Sequence, residues 1–358
     1  MMKDLLEKYF SLIKTFIPEK ELPATVGIDI GAESCRVLEL TQAKGTFAIL
    51  NWAIESYGKE GMEETLKKIA DKFDFKSKLL ATSVFGKGTL IRYITLPRMS
   101  LSDLKQSFSL EADKYFPFPK DQVYTDCTIL DPKSREAKMS VLVVAVKKEI
   151  VDQHLQLLSG IGIQPDIVTL NPLAISKVFH TVENGSRFAK TSDRSENQAV
   201  AVLDIGDVVS NLQVLQNSLP CFTRDIYMGG REITKRISNI MSLSLSDAEK
   251  IKCQPVEQST EVLAACESVL LSIIGECRLS FDYVITEKNV HINHMYLTGR
   301  SSMLNGLEAY FAKQMELPVE IWDPFKTFTF APTISADEVH KNTTGLVVSL
   351  GLALNPYD

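Results

Sequence analysis

Val26-Gly27-Ile28-Asp29-Ile30-Gly31-Ala32-Glu33-Ser34 governs the reading of this chain, because a close copy returns as Val202-Leu203-Asp204-Ile205-Gly206-Asp207-Val208-Val209-Ser210. The two Asp-Ile-Gly cores lie 175 residues apart (204 minus 29), about half of a 358-residue chain. In each copy an apolar strand runs into a tight turn where glycine tolerates φ > 0, and a second strand leaves it. Those second strands are Arg36-Val37-Leu38-Glu39-Leu40 and Asn211-Leu212-Gln213-Val214-Leu215, so each copy reads as a β-hairpin. One Asp-x-Gly hairpin is an ordinary turn in a sheet. Two of them, half a chain apart, point to a duplicated fold with a cleft between paired halves. Facing hairpins of this kind can hold a phosphate chain. Backbone N–H groups and the Ser34 and Ser210 hydroxyls can donate to phosphate oxygens, while Asp29 and Asp204 can hold Mg²⁺ through its waters.

Composition sets the frame around that pair. A chain of this length that is 45% hydrophobic buries two sizeable cores. A net charge of -6, with no basic run carrying interleaved aromatics, argues against a nucleic-acid surface. Cys35, Cys127, Cys221, Cys253, Cys266 and Cys277 form no C-x-x-C pair and no zinc spacing, which fits buried thiols rather than a disulfide framework. No apolar run approaches the roughly 18 residues that span a bilayer, and charged Lys3, Asp4, Glu7 and Lys8 stand where a signal peptide would be apolar. The expected setting is the cytoplasm.

Residues 3 to 17 space Leu5, Leu6, Tyr9, Phe10, Ile13, Phe16 and Ile17 as an amphipathic helix. From Thr25 to Pro97 the pattern predicts the first hairpin, a strand near Phe47 to Ala53, a helix over Met62 to Phe73, and strands over Leu79 to Val84 and Thr89 to Leu96. Gly86-Lys87-Gly88-Thr89 lacks the first glycine of a P-loop and opens a strand rather than a helix, so it reads as a plain turn. Between residues 98 and 170 the order is α-β-β-α-β, enough for a small sheet with helices on one face. A polar stretch over 184–198 reads as a connection. The second hairpin then leads through Gly229-Gly230 into a helix. His291 and His294 fall on a strand with opposite orientations, which argues against a metal site. A strand ending at Thr298 turns at Gly299-Arg300-Ser301, and the apolar helix near Thr344 to Leu354 carries small residues that permit close packing.

That order resembles the actin-like ATPase superfamily, whose ribonuclease H-like α/β fold is duplicated into two lobes around a nucleotide cleft. Within it the chain is similar to the PilM family of type IV pilus assembly. The resemblance rests on Leu96-Pro97-Arg98-Met99-Ser100 through Leu104 to Glu111-Ala112-Asp113-Lys114-Tyr115-Phe116-Pro117-Phe118-Pro119, with Val123, Asp126 and Leu130 beyond. It covers residues 25 to 354. That leaves the amphipathic N-terminal helix, taken as 1–22, outside it. The resemblance implies a subdomain 1A of 23–97 and 171–190, with a small α+β subdomain 1C inserted over 98–170. It also implies a subdomain 2A of 198–232 and 292–358, and a subdomain 2B of 233–291.

The resemblance further implies ATP and Mg²⁺ as cofactors. Asp29, Gly31 and Ser34 match the first phosphate loop, and Asp204, Gly206 and Ser210 the second. Gly229 and Gly230 match a glycine pair, Glu249 and Lys252 a helix facing the nucleoside, and Gly299 with Arg300 the adenosine turn. Two departures weaken the expected catalysis. Arg300 and Ser301 replace glycines, and Asn171 replaces a glutamate, an amide that cannot act as a general base. The expectation is therefore a scaffold with little or no turnover. Its implied partner is the N-terminal peptide of a PilN-like membrane protein in the cleft between 1A and 1C, which would couple the inner-membrane platform to the pilus motor. Alternatives of the same superfamily are a small-molecule kinase, the related type II secretion protein and an FtsA-like division protein. Each needs a further substrate insertion or membrane segment that the sequence does not show.

Overall fold

The computed structural model describes residues 23–43, 45–75, 77–132, 134–183, 198–254 and 259–357. The helix expected over 1–22 and nearly all of the connection expected over 184–198 lie outside them.

The first half runs β1 (Thr25–Ile30), β2 (Ser34–Ala43), β3 (Thr46–Ser56), α1 (Gly61–Lys72), β4 (Leu79–Val84), β5 (Thr89–Pro97), α2 (Leu101–Glu111), β6 (Val123–Ile129), β7 (Lys138–Lys147), α3 (Lys148–Gly160), β8 (Ile167–Leu170) and α4 (Asn171–Glu183). The second half begins with β9 (Gln198–Ile205), β10 (Ser210–Gln216), β11 (Leu219–Ile226), α5 (Gly230–Met241), α6 (Leu245–Cys253) and α7 (Ser259–Lys288). It ends with β12 (His291–Thr298), α8 (Leu307–Met315), β13 (Val319–Ile321), β14 (Thr329–Phe330), α9 (Ala336–Lys341) and α10 (Thr343–Leu354). Three sheets result, with strand orders β14-β3-β2-β1-β4-β8, β11-β10-β9-β12-β13 and β5-β7-β6.

Both Asp-Ile-Gly stretches form hairpins, and their registers coincide. Asp29 pairs with Arg36 across β1 and β2, and Asp204 pairs with Asn211 across β9 and β10. Each hairpin feeds a parallel neighbour, β4 beside β1 and β12 beside β9. Both β1 and α10 are buried along their whole length, which explains why they read as continuous apolar runs rather than as alternating ones.

Helices α4 and α10 lie between the two large sheets and join their cores. Ala174, Ile175 and Val178 of α4 and Leu346 and Leu350 of α10 pack with Leu38 and Leu40 of one sheet and Val200 and Val202 of the other. The approach is backbone to backbone. A Cβ on Gly27 would lie 2.0 Å from the Ser349 carbonyl oxygen, and one on Gly351 would lie 2.0 Å from that of Ala174. Small residues in α10 are therefore a packing requirement, as their spacing predicts. The Thr25 hydroxyl adds a hydrogen bond of 2.6 Å to the Ala353 carbonyl.

Two placements differ from the sequence expectation. The small sheet takes its third strand from β5, which precedes residue 98, while β8 leaves the 98–170 segment to pair with β4. A short edge strand gives little periodicity to read, and partner choice is set by tertiary packing. In addition β14 returns to lie parallel to β3, so part of the segment expected in 2A completes the first sheet. The small sheet has its own core, in which Leu104, Phe108 and Phe116 pack on Met139, Val141 and Val143. Helix α2 starts at the Ser100 cap, whose hydroxyl accepts from the Asp103 N–H at 3.2 Å. It stops at Glu111, and Ala112–Lys114 tighten into a 3₁₀ turn ahead of Pro117.

Candidate functional site

The two hairpin turns face each other across a cavity of about 60 Å³ lined by Asp29, Gly31, Arg36, Asp204, Gly206, Gly299, Arg300 and Thr344, among others. Beside it opens a wider cavity of about 400 Å³, to which Ser34, Arg36, Gly206, Arg231, Glu249, Lys252 and Arg300 contribute. Three of these, Arg36, Gly206 and Arg300, line both, so the cavities are neighbours along one cleft.

Asp29 does not stand free in that cleft. Its carboxylate takes a hydrogen-bonded ion pair from Arg36 Nη1 at 3.0 Å, with the side chains only 5% and 15% exposed. The turn beneath is braced by the Gly31 N–H to the Ser34 carbonyl at 3.0 Å. The Tyr57 hydroxyl donates to the Gly31 carbonyl at 2.8 Å. Among the described residues Asp204 has no such partner. Burial, reinforced by the nearby Asp29 and opposed by Arg36, pushes its carboxyl up to about 7. Asn211, opposite it in register, turns instead to Asp225 at 2.6 Å.

Several residues expected to touch a phosphate spend their polar groups inside the protein. The Ser210 hydroxyl donates to the Met228 carbonyl at 2.7 Å, and Ser210 is fully buried. The glycine pair opens α5, yet its first N–H groups are already taken. Gly229 donates to Glu232 at 3.1 Å, Gly230 to the Gly206 carbonyl at 2.8 Å, and Arg231 to the Asp207 carbonyl at 2.9 Å. The pair's role here is contact. A Cβ on Gly229 would lie 2.4 Å from the Gly206 carbonyl oxygen, and one on Gly230 would lie 2.2 Å from Ser301 Oγ. Lys252 is 2% exposed and donates to Thr234 at 2.9 Å and the Gly230 carbonyl at 3.2 Å, while pairing with Glu249 at 2.6 Å. Its three N–H bonds are thereby committed.

The turn expected to face adenosine bends at Gly299, which adopts φ +83° and leaves no room for a side chain, since a Cβ there would lie 2.5 Å from the Ile205 carbonyl oxygen. Ser301 packs inward, 3% exposed, and Arg300 projects to both cavities. Among the described residues its guanidinium makes no hydrogen bond or ion pair.

Sequence reasoning missed Arg36 and Arg231. Arg231 pairs with Asp207 at 3.0 Å and with Glu33 at 2.5 Å, so it ties the second hairpin to the first across the mouth of the wider cavity. Arg36 was legible in principle, since a hairpin places the residue seven on from Asp29 directly opposite it. Arg231 was not, because its partners lie in different halves.

The fit of the cleft to the expected cofactors is mixed. Asn171 Oδ1 and Thr344 Oγ1 are buried atoms without a hydrogen-bond partner, and both residues line the smaller cavity. The Thr344 hydroxyl can donate and, with the Arg36 and Arg300 guanidinium groups, suits an anionic group, whereas Asn171 Oδ1 only accepts and calls for a donor. The donors do not suit hydrated Mg²⁺. Asp29 is engaged by a fixed cation, and a divalent ion held through its waters would sit beside that like charge. Among the described residues there is no cluster of His, Cys, Asp and Glu able to hold a metal ion, and no helix is long and apolar enough to cross a membrane.

With this geometry in hand, comparison with known proteins gives a consistent result. The sequence model of the family described as type IV pilus assembly protein PilM matches residues 27–357. A solved PilM-PilN type IV pilus biogenesis complex contains a chain that is 22% identical. The likeness covers 93% of this chain and 98% of that one with a TM-score of 0.78. The ethanolamine utilization protein EutJ from Carboxydothermus hydrogenoformans is 16% identical, with 98% and 97% covered and a TM-score of 0.50. Cell division protein FtsA of Bacillus subtilis (strain 168) is 28% identical over 159 residues, 40% of this chain and 34% of FtsA. The match thus spans about a third of that relative's length. The fold is the α/β actin-like one.

Proposed function

The chain belongs to the PilM family of type IV pilus assembly proteins, and on that premise we propose that it is a cytoplasmic scaffold of the pilus assembly platform. Its partner on this reading is the N-terminal cytoplasmic tail of a PilN-like membrane protein. The observation that carries the reading is a groove of about 330 Å³ between the first sheet and the small one, lined by Val84, Tyr124, Val144, Val146, Val168 and Leu173 among others. It lies between two free sheet edges, since β8 ends the six-stranded order and β6 ends the three-stranded one. An extended peptide can add to such an edge through its main chain and place alternate side chains in the apolar floor.

In domain terms, the two large sheets with their helices are the lobes on either side of the cleft. The small sheet, formed by β6 and β7 of the expected 98–170 together with β5 from before it, is read as subdomain 1C of the first lobe, and α5 to α7 as 2B. The solved PilM-PilN complex of similar fold supports the choice of partner. We read the cleft between the hairpins as a nucleotide site held for assembly rather than for turnover, with ATP bound weakly and hydrolysed slowly or not at all. What supports this is the commitment of Lys252 and the glycine-pair N–H groups to internal bonds, and an amide rather than a carboxylate at Asn171.

Calorimetry with a synthetic peptide of the partner's N-terminal tail tests the scaffold reading. Saturable binding to the wild type is expected, together with its loss in Val168→Arg, which puts a cation into the groove floor. A wild-type protein that gives no binding heat while the variant melts at the same temperature sinks the proposal.

A further inference from the structure

Arg36 lies against the Gly31 turn, where a Cβ on that glycine would meet Nη1 at 2.8 Å. It lines both the narrow and the wide cavity of the cleft, and its ion pair with Asp29 is built into the hairpin register. The second hairpin offers no equivalent cation, because Asn211 stands opposite Asp204 and faces Asp225. Arg36 therefore places a permanent positive charge beside the hairpin carboxylates, in the place where the sequence pattern calls for a hydrated divalent ion. A guanidinium stays charged in proteins, and its remaining N–H groups form a planar fork suited to phosphate oxygens. Arg300, unpartnered among the described residues, projects to the same cavities, and so does the unsatisfied Thr344 hydroxyl to the narrower one.

We propose that Arg36 is the internal counter-ion of Asp29, so that this carboxylate takes no divalent cation and a polyphosphate anion enters as its metal-free species against Arg36 and Arg300. The first half of this statement stands on the ion pair alone. The second rests on the reading of the cleft as a nucleotide site.

Titration of the full chain with Mn²⁺, followed by electron paramagnetic resonance, tests the first half. The wild type is expected to show no Mn²⁺ site that depends on Asp29. Arg36→Met, stripped of the internal charge, is expected to gain such a site and to recover melting temperature when Mn²⁺ is added, and the Asp29→Asn, Arg36→Met double variant is expected to do neither. A wild-type site abolished by Asp29→Asn overturns the proposal, as does a folded Arg36→Met protein that gains nothing. Should Arg36→Met fail to fold, the wild-type titration decides, together with Arg36→Lys, which keeps the charge and is expected to stay blind to the metal.

ATP calorimetry in EDTA and in Mg²⁺ tests the second half. Affinities within about twofold are expected, and a loss of about tenfold or more in EDTA overturns it. Absence of ATP binding in both conditions overturns the second half together with the nucleotide reading, while the Mn²⁺ result stands for the first.

Discussion

The two hairpins share a sequence pattern and a register, yet they treat the same aspartate differently. In the first, Asp29 is neutralised by a cross-strand Arg36 at 3.0 Å. In the second, Asp204 faces an asparagine across the ladder, lacks an ion pair among the described residues, and has its carboxyl pushed up to about 7. Duplication thus preserved the backbone turn and not the electrostatics. The consequence is a cleft whose two sides cannot be exchanged. One is a closed ion pair, and the other is a carboxylate whose protonation answers to its neighbours.

The sharpest way to break this comparison is to make the first hairpin resemble the second. Removing the cation by Arg36→Met leaves a buried carboxylate unpaired, a change of the kind that costs about 3–5 kcal/mol. The corresponding Asn211→Ala removes the amide bonded to Asp225 and is expected to cost about 1–3 kcal/mol. Urea unfolding of both variants checks the order. If Asn211→Ala proves the more damaging, the asymmetry assigned to Arg36 is wrong.

Titration gives the next largest effect. The Asp204 carboxyl rises from an ordinary 3.8 to about 7 in the folded chain, so the native state holds that proton more tightly than the unfolded one. The stabilisation is fully present below about pH 4, fades as the pH rises, and is gone above about pH 7. At 1.4 kcal/mol per unit a shift of about three units makes the loss on the order of 4 kcal/mol. Asp204→Asn should flatten this part of the stability profile measured by denaturant unfolding between those limits. An unchanged slope in the variant removes Asp204 as its source.

What could be read from the sequence follows from the range of the interactions involved. The paired hairpins, the order of most elements and the small-residue helix α10 were legible because each depends on local periodicity or on a repeated turn. The signature from Leu96 to Pro119 was legible in type as well, although Phe108 and Phe116 turn out to build the small core. Illegible were the placements decided at long range. Strand β5 rather than β8 completes the small sheet, and β14 returns to the first. In the cleft, residue identity suggested phosphate donors, but a sequence does not reveal that the Ser210 hydroxyl is spent on Met228 or that Gly230 is spent on Gly206. Such commitments depend on which turn packs against which.

The turn glycines sharpen the comparison at smaller scale. A Cβ on Gly206 would meet the Val209 carbonyl oxygen at 2.4 Å, a backbone atom that cannot move alone, whereas one on Gly31 would first meet the Arg36 guanidinium at 2.8 Å, the end of a flexible side chain. Overpacking of the first kind costs about 1–3 kcal/mol. Gly206→Ala should therefore lower the unfolding midpoint clearly more than Gly31→Ala. Equal losses would mean that the Arg36 side chain is held as rigidly as backbone.

The smallest effect on stability is expected at Arg231, and it is the most informative about the cleft. Its ion pairs to Glu33 and Asp207 are 2.5 and 3.0 Å long, but the Arg231 and Glu33 side chains are 37% and 64% exposed, and exposed pairs contribute only about 0.2–1 kcal/mol. Among the described residues this is the ion pair that crosses from the first hairpin to the second half, and it spans the mouth of the 400 Å³ cavity. Arg231→Ala should leave the melting temperature nearly unchanged while raising amide exchange at the two hairpin turns, because opening of the cleft no longer breaks a charge contact. If exchange rises at neither turn, contacts other than this ion pair, such as those of α4 and α10, hold the halves together. If it rises at one, that turn is the mobile side, and the division between a closed first hairpin and a responsive second one predicts that it is the turn after Asp204.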